Sequence, residues 1–206
     1  VKAWGTFVCL EAFFTRQNDR VNAARANETA HAIARTVVSK FDAEERFIPA
    51  VFEGGNSSRI IPAIEGLAYP FLCGAEKELA ASGPYAEFLS VLKIHLETVL
   101  VPGVCIDPVS DGWKLSSTSK NTWLSKIFLN QFVAAEIFGI DDERVRKDAA
   151  HAQWLLEGSA DYAAADQVDS STGHAYGSRL YPRLVTSVLW LLKYHRFECL
   201  KMPVCP

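Results

Sequence analysis

Residues 19–41 read DRVNAARANETAHAIARTVVSKF, and this stretch decides the fold class. Its apolar residues recur at the spacing of an amphipathic helix, and Asp19 or Asn22 can cap the start of that helix. The apolar stripe consists of Ala30, Ile33, Ala34, Val37, Val38 and Phe41. A similar apolar stripe runs from Trp4 to Phe14 and ends shortly before the predicted start of this helix. The sequence therefore predicts two adjacent helices that form an antiparallel hairpin.

Helical periodicity continues through the rest of the chain, with long irregular stretches between the helices. Further helices are predicted to start near Pro62, Pro84, Trp123, Asp141 and Pro182. The pattern predicts an all-α fold of helical hairpins that form part of an (α/α)6 toroid. In such a toroid the loops at one end converge on a central cavity. An ordinary helical bundle explains the periodicity equally well.

Composition and charge exclude several classes of protein. The 206 residues are 49% hydrophobic and 22% charged, which is enough apolar material for one sizeable core. The 21 basic and 24 acidic residues give a net charge of -3 without a run of Lys or Arg, so neither nucleic acid nor a membrane is a predicted partner. The histidines lack metal-ligand spacing and no phosphate-loop motif is present, so neither a metal nor a cofactor is predicted.

The cysteines are odd in number, widely spread and mostly flanked by apolar residues. They are Cys9, Cys73, Cys105, Cys199 and Cys205. This pattern favours buried free thiols over a disulfide framework or a zinc site. Free thiols are typical of a reducing compartment, which predicts a cytoplasmic protein.

Two glutamates in the first irregular stretch are candidate sugar ligands. Glu53 precedes Gly54 and Gly55, and Glu65 precedes Gly66. Glycines allow a ligand to approach closely, and a carboxylate accepts hydrogen bonds from sugar hydroxyls. The structural alternative is that Glu53 is solvated and that Glu65 caps or pairs locally.

The second irregular stretch mixes aromatic and polar residues. Residues 111–123 read DGWKLSSTSKNTW. An indole face stacks on a pyranose ring while Lys and Asn donate to hydroxyls, so Trp113, Lys114 and Asn121 are predicted to contact a sugar. The alternative is a plain helix start with a Ser or Thr cap, in which Trp113 and Trp123 belong to the core.

A catalytic pair of carboxylates inside the chain is a separate hypothesis. Glu53 or Glu65 would then act with Asp111 or Asp166. Their carboxyl groups would lie about 5 Å apart in a retaining glycosidase, or about 6.5 to 9.5 Å apart in an inverting one.

Three blocks of sequence carry a family resemblance. They are Val1-Lys2-Ala3-Trp4, Gly112-Trp113-Lys114-Leu115-Ser116-Ser117-Thr118-Ser119 with Asn121-Thr122-Trp123-Leu124-Ser125-Lys126, and Gly177-Ser178-Arg179 with Tyr181-Pro182-Arg183. Together they resemble the last third of the glycoside hydrolase family 52 β-xylosidases, from about Val1 to Trp190. The family 116 β-glucosidases have a related (α/α)6 domain and are the nearest alternative.

The resemblance implies a retaining exo-glycosidase that releases xylose from the non-reducing end of xylo-oligosaccharides. Residues 1–195 would be the C-terminal part of its (α/α)6 catalytic domain, and residues 196–206 a tail. The family's glutamate nucleophile and aspartate acid match positions upstream of Val1. We therefore expect a fragment of a longer enzyme that lacks the catalytic pair, with a β-glycoside as partner and a homo-oligomer possible. A non-catalytic helical scaffold or binding module is the alternative from a different class.

Overall fold

In a computed structural model of the chain, residues 1–158, 165–179 and 186 are described, and helices dominate them. The helices are α1 (Lys2–Arg16), α2 (Arg20–Ser39), α3 (Ala68–Leu72), α4 (Ala86–Val99), α5 (Leu124–Phe138), α6 (Glu143–Arg146) and α7 (Asp148–Gly158). Short 3-10 helices span Ile61–Leu67, before α3, and Glu76–Leu79, before α4. The strands are β1 (Asn121–Trp123), β2 (Ala165–Asp169) and β3 (Ala175–Arg179). The prediction of a mostly helical chain is confirmed.

The first two helices pack against each other as a hairpin, as the sequence predicts. The Asp19 carboxylate caps α2 because it accepts a hydrogen bond of 3.1 Å from the Asn22 amide. Asn27 of α2 donates to Glu11 of α1 at 3.0 Å across the pair. The buried residues of α2 are Ala26, Ala30, Ala34 and Val37. Most of these belong to the predicted stripe, which therefore faces the core.

One apolar core connects this hairpin to the later helices. Trp4 of α1 is fully buried, and its ring centroid lies 5.1 Å from that of Tyr85 and 4.9 Å from that of Phe88. Buried residues of α4 and α5 extend the core, among them Leu92, Leu96, Val99, Leu124, Ile127 and Phe128. Gly139 ends α5 because its left-handed backbone, with φ of 68°, turns the chain away.

Two glycines let α1 lie directly against the Ile61–Leu67 helix. A Cβ atom on Gly66 would lie 2.6 Å from the Lys2 backbone, and a Cβ atom on Gly5 would overlap the Gly66 carbonyl oxygen. A side chain at either position would therefore push the two helices apart. The close approach brings Lys2 beside Glu65, since Glu65 belongs to the same 3-10 helix.

A three-stranded antiparallel sheet corrects the prediction of an all-α fold. β1 pairs with β2, with Asn121 opposite Asp169, and β2 forms a hairpin with β3. Residues 165–179 therefore form strands where an irregular stretch was predicted. The strands are short and contain mainly small and polar residues, so their period of two is hidden in the sequence. Trp123 ends β1 and is also the N-cap of α5, so the helix predicted to start near this residue is confirmed.

The helix predicted from Asp141 onward is two helices. Lys147 has a left-handed backbone with φ of 60° and separates α6 from α7. The buried guanidinium of Arg146 lies 2.7 Å from an Asp141 oxygen and 2.9 Å from an Asp148 oxygen. The turn thus lets one buried cation meet carboxylates on both sides of the break. Apolar periodicity does not report such a pairing.

Two cysteines correct the prediction of free thiols. Cys9 and Cys73 form a disulfide that links α1 to the residue that follows α3. Their Cα atoms lie 6.3 Å apart because the two helices are neighbours, which the sequence does not reveal. Cys105 is free and buried as predicted, and burial raises the pKa of its thiol to about 12.

Several predictions concern residues that the structure does not describe. These are the helix from Pro182, the tail at residues 196–206, and the thiols of Cys199 and Cys205. Within the described ranges, no helix has both the length and the apolar character needed to cross a bilayer. The cytoplasmic location and the homo-oligomer stay predictions.

The close approach of α1 to the 3-10 helix makes Gly66 sensitive to substitution. We expect Gly66→Ala to lower the free energy of unfolding by about 2 kcal/mol, because the new methyl group overlaps the Lys2 backbone. Gly177→Ala is the matched control, since its added Cβ would make an ordinary contact of 3.7 Å with Gln167. Urea denaturation of both variants checks this, and equal stabilities would contradict the proposed close packing.

Candidate functional site

The first and second irregular stretches are joined by backbone hydrogen bonds. The Ile61 amide donates to the Leu115 carbonyl at 3.0 Å, and the Ser117 amide donates to the Arg59 carbonyl at 2.9 Å. Beside these bonds, three hydroxyl oxygens lie 3.1 to 3.2 Å from one another, those of Ser58, Ser116 and Thr118. The two stretches therefore form one connected surface.

The second stretch is also joined to the β2–β3 hairpin. The buried Asp107 carboxylate accepts hydrogen bonds from Ser170 Oγ at 2.8 Å and Ser171 Oγ at 3.0 Å. Ser110 Oγ donates to the Ser170 carbonyl at 2.6 Å. Burial alone would raise the pKa of Asp107, but these hydroxyls and nearby amides hold it below its usual range. The first stretch, the second stretch and the β2–β3 hairpin thus meet.

A cleft of about 370 Å³ opens between the first stretch and the starts of α1 and α5. Its charged side chains are Lys2, Glu65 and Lys126, and Phe52 supplies an aromatic ring. Ile48, Pro49, Ile60 and Pro62 are among its apolar lining residues. A cleft with apolar walls and a few convergent polar groups is typical of small-molecule sites. It is therefore the candidate functional site.

Glu65 is the central charge of the cleft. Its side chain is 8% exposed, and its Oε2 atom lies 3.0 Å from Lys2 Nζ and 3.6 Å from Lys126 Nζ. The ammonium groups offset the carboxylate charge, but neither is aligned for a hydrogen bond to the buried Oε2. Among the described residues, no donor bonds to Oε1. The carboxylate therefore keeps acceptor capacity toward the cleft.

His95 of α4 lies behind the apolar wall of the cleft. The Ile48 amide donates to His95 Nδ1 at 3.0 Å, so the ring proton is on Nε2, which donates to the Ile60 carbonyl at 2.9 Å. Burial lowers the pKa of His95 to about 4. The ring is therefore neutral at pH 7 and joins the two ends of the segment between Ile48 and Ile60.

Two of the predicted sugar ligands are packed inside the chain. Trp113 is 1% exposed, and its indole Nε1 donates to the Val145 carbonyl at 2.6 Å. Lys114 is buried, and its Nζ donates to the Ser117 carbonyl at 3.3 Å. Neither side chain presents an open face. A sugar would reach them only if the second stretch opened.

The other two predicted ligands are exposed and lie outside the cleft lining. Glu53 stands in a turn whose next residues, Gly54 and Gly55, have φ of 68° and 65°. Asn121 is at the exposed start of β1, opposite Asp169. Of the five predicted ligands, Glu65 lines the cleft and the other four do not. Direct sugar contact by Glu53 and Asn121 stays a prediction.

The carboxylates proposed as an internal catalytic pair have structural partners. Asp166 is fully buried and caps α5, because it accepts from the Ser125 amide at 2.6 Å and from Ser125 Oγ at 2.8 Å. Asp111 pairs with Lys147 Nζ at 2.6 Å. Among the described residues, hydrogen bonds lower the pKa values of the carboxyl groups of Asp19, Asp107, Asp142 and Asp169. A general acid needs the opposite displacement.

The sequence analysis missed three residues of the site: Lys2, Lys126 and His95. A lone glutamate between Ile64 and Gly66, in an apolar segment, signals that a cation must lie nearby. The sequence does not tell which lysine this is, since Lys2 and Lys126 are far from Glu65 along the chain. His95 follows the apolar stripe of α4 and reads as an ordinary core position.

The comparison with known proteins bears on the class of this chain. No protein-family model matches it. The chain is 42% identical over 193 residues to a protein named beta-xylosidase from Geobacillus stearothermophilus. The match covers 92% of this chain and 27% of the relative, so the chain spans about a quarter of that protein's length. The chain is therefore similar to part of a protein named beta-xylosidase, in keeping with the resemblance drawn from the sequence.

The ion pairs of Glu65 predict its effect on stability. We expect Glu65→Gln to lower the free energy of unfolding by about 1 to 3 kcal/mol, because two ammonium groups lose their counter-charge. Glu136→Gln is the matched control, since Glu136 is exposed on α5. Chemical denaturation at low and high salt measures both variants. A Glu65 variant as stable as the control would contradict the buried ion pairs.

The buried side chain of His151, which lies beside Trp113, predicts that the chain is less stable at acid pH. The Trp113 amide donates to His151 Nε2 at 2.9 Å, and burial lowers the pKa of His151 to about 3. The unfolded chain binds a proton near pH 6.5 at each of the buried histidines His95 and His151, so the free energy of unfolding should fall below that pH by about 1.4 kcal/mol per pH unit for each of them. Denaturation followed by tryptophan fluorescence from pH 7 to pH 4 checks this. His151→Gln should lower the slope by about 1.4 kcal/mol per pH unit, and an unchanged slope would contradict the prediction.

Proposed function

We propose that this chain is part of a retaining β-xylosidase of glycoside hydrolase family 52 and supplies one wall of its substrate cleft. The observation that carries the proposal is the 42% identity to a protein named beta-xylosidase over 92% of the chain. Residues 1–195 would be the C-terminal part of an (α/α)6 domain. Two features support this arrangement: the α1–α2 hairpin, and the hydrogen bonds that join the first stretch, the second stretch and the β2–β3 hairpin. In a toroid, the loops at one end likewise meet.

The chain would bind substrate, and the catalytic pair would lie upstream of it. Asp166 and Asp111 already serve as a helix cap and an ion-pair partner, which supports this division. Glu65 lies between two lysines, whereas a general acid needs an environment that favours its protonated form. In the complete enzyme, a nucleophile and an acid/base about 5 to 5.5 Å apart would perform the two displacement steps.

Glu65 would accept a sugar hydroxyl at its Oε1 atom. The two lysines each offer further N–H donors, so adjacent hydroxyls of one pyranose can be held by Glu65 and a lysine together. Phe52, 36% exposed, offers an apolar face for the C–H side of the ring. The volume of about 370 Å³ lies within the size range of small-molecule sites, so the cleft can take a short saccharide.

The other predicted ligands would act at different distances from the sugar. Glu53 follows the lining residue Phe52 and would meet substrate at the mouth of the cleft. Asn121 would contact a more distant part of the substrate. Trp113 and Lys114 would support the site by holding the second stretch in place.

The burial of Trp113 favours one competing function, a non-catalytic helical scaffold or binding module. In that reading the tryptophan is core and the loops are turns. A β-glucosidase-type glycosidase with the same domain architecture is the other competitor. Both make different predictions for hydrolysis of a β-xyloside.

Release of p-nitrophenol from p-nitrophenyl β-xyloside tests the proposed function. We expect hydrolysis by the full-length parent and none by the chain alone, because the carboxylate pair would be upstream. In the parent, Glu65→Ala should raise KM about fivefold, which corresponds to one lost hydrogen bond, while Glu136→Gln should not. Activity of the isolated chain would place the catalytic pair within it. A parent that cleaves only the β-glucoside, or neither substrate, would favour one of the competitors.

A further inference from the structure

We propose that His95 is a positioning residue that holds the apolar wall of the cleft, and that protonation of its ring releases this wall. His95 projects from α4 and is fully buried. It contacts no charged side chain of the cleft, yet Ile48 and Ile60, its two hydrogen-bond partners, both line the cleft. The segment between them also contains Phe52 and Glu53.

The tautomer of the His95 ring explains why its hydrogen bonds to Ile48 and Ile60 respond to protonation. The Ile48 amide can only donate, so Nδ1 must carry a lone pair and Nε2 must carry the proton that is donated to Ile60. A protonated imidazole has an N–H on both nitrogens. Its Nδ1–H would then face the Ile48 N–H, so this hydrogen bond would be replaced by repulsion.

The surroundings of the ring disfavour its charged form. Burial is the largest cause of the lowered pKa, the Ile60 carbonyl opposes it, and the Arg59 guanidinium lowers it further. Arg59 is the charged side chain that acts on the ring from the first stretch, and it pairs with Glu45 at 2.6 Å and stacks over Phe47 at 4.6 Å. The two hydrogen bonds of neutral His95, to Ile48 and Ile60, form what we call the clamp. The pKa of His95 is about 4 in the folded chain and 6.5 in the unfolded chain, so the clamp is stable above pH 6.5 and weakens as the pH falls toward 4.

Release would be local because a further hydrogen bond holds the segment between Ile48 and Ile60 together. The Ala50 amide donates to the Ser58 carbonyl at 3.0 Å, closer to the tip than the His95 bonds. The tip would therefore stay closed while the wall near Ile48 and Ile60 moves relative to Glu65. The inference rests on the proposed function for the identity of the ligand alone, since the clamp itself is a property of the fold.

Amide hydrogen exchange followed by NMR tests the clamp without any substrate. In the wild-type chain, we expect the protection factor of the Ile48 amide to fall about tenfold per pH unit between pH 6.5 and pH 4. His95→Gln should abolish this dependence, because glutamine keeps an acceptor and a donor but takes up no proton. His31→Gln is the matched control, since His31 stacks on Tyr85 away from the cleft. The Ala30 amide of α2 reports global unfolding.

Three results would overturn the proposal. One is an Ile48 protection factor with the same pH dependence in wild type and His95→Gln. Another is an Ile48 protection factor equal to that of Ala30 at every pH, which would mean that Ile48 exchanges through global unfolding and not through local release. The third is loss of the dependence in His31→Gln as well.

Kinetics in the full-length parent separate positioning from general stability. His95→Leu should raise KM for the β-xyloside about fivefold with kcat nearly unchanged, and His95→Gln should restore most of the affinity. A fall in kcat at constant KM would contradict a role in the cleft wall. A parent without xylosidase activity would refute the proposed function, and the exchange experiment would then decide the role of His95 by itself.

Discussion

The contact between Gly5 and Gly66 is the constraint on which the rest of the site depends. Without side chains at these positions, the backbone of α1 reaches the 3-10 helix, and Lys2 comes within 3.0 Å of Glu65. Glu65 can then be buried with a counter-charge, which a carboxylate in an apolar segment requires. The cleft is thus a product of helix packing, and its central charge is held by elements distant in sequence.

Two kinds of interaction stabilise the structure around this contact, namely backbone hydrogen bonds and hydrogen bonds to buried carboxylates. Backbone bonds between Arg59 and Ser117 and between Ile61 and Leu115 align the first two stretches, and Asp107 fixes the β2–β3 hairpin to the second. Buried carboxylates such as Asp107 carry these tertiary links because each accepts several donors at once. These carboxylates therefore have structural partners, in keeping with the binding role proposed for the chain.

The sequence predicted the parts of the fold that depend on local periodicity. Asp19 caps α2, the stripe of α2 faces the core, and α5 starts beside Trp123 as expected. It failed where long-range contacts decide: the Cys9–Cys73 bond and the pairing of Asn121 with Asp169 join distant residues. For the candidate site, Glu65 was singled out because a carboxylate beside a glycine can approach a ligand closely, and it lies in the cleft lining, while its contact with a sugar stays a prediction. Trp113 was misleading because a core tryptophan and a sugar platform look alike in sequence.

The most direct test of the central claim is a crystal structure, with xylobiose bound, of the longer enzyme to which this chain is proposed to belong. The account predicts a xylose ring in the cleft, with a hydroxyl oxygen about 2.5 to 3.0 Å from Glu65 Oε1. It also predicts a lysine Nζ, of Lys2 or Lys126, in contact with the same ring. A disaccharide bound at another surface of the parent, with Glu65 still enclosed by its two lysines and the cleft empty, would contradict it.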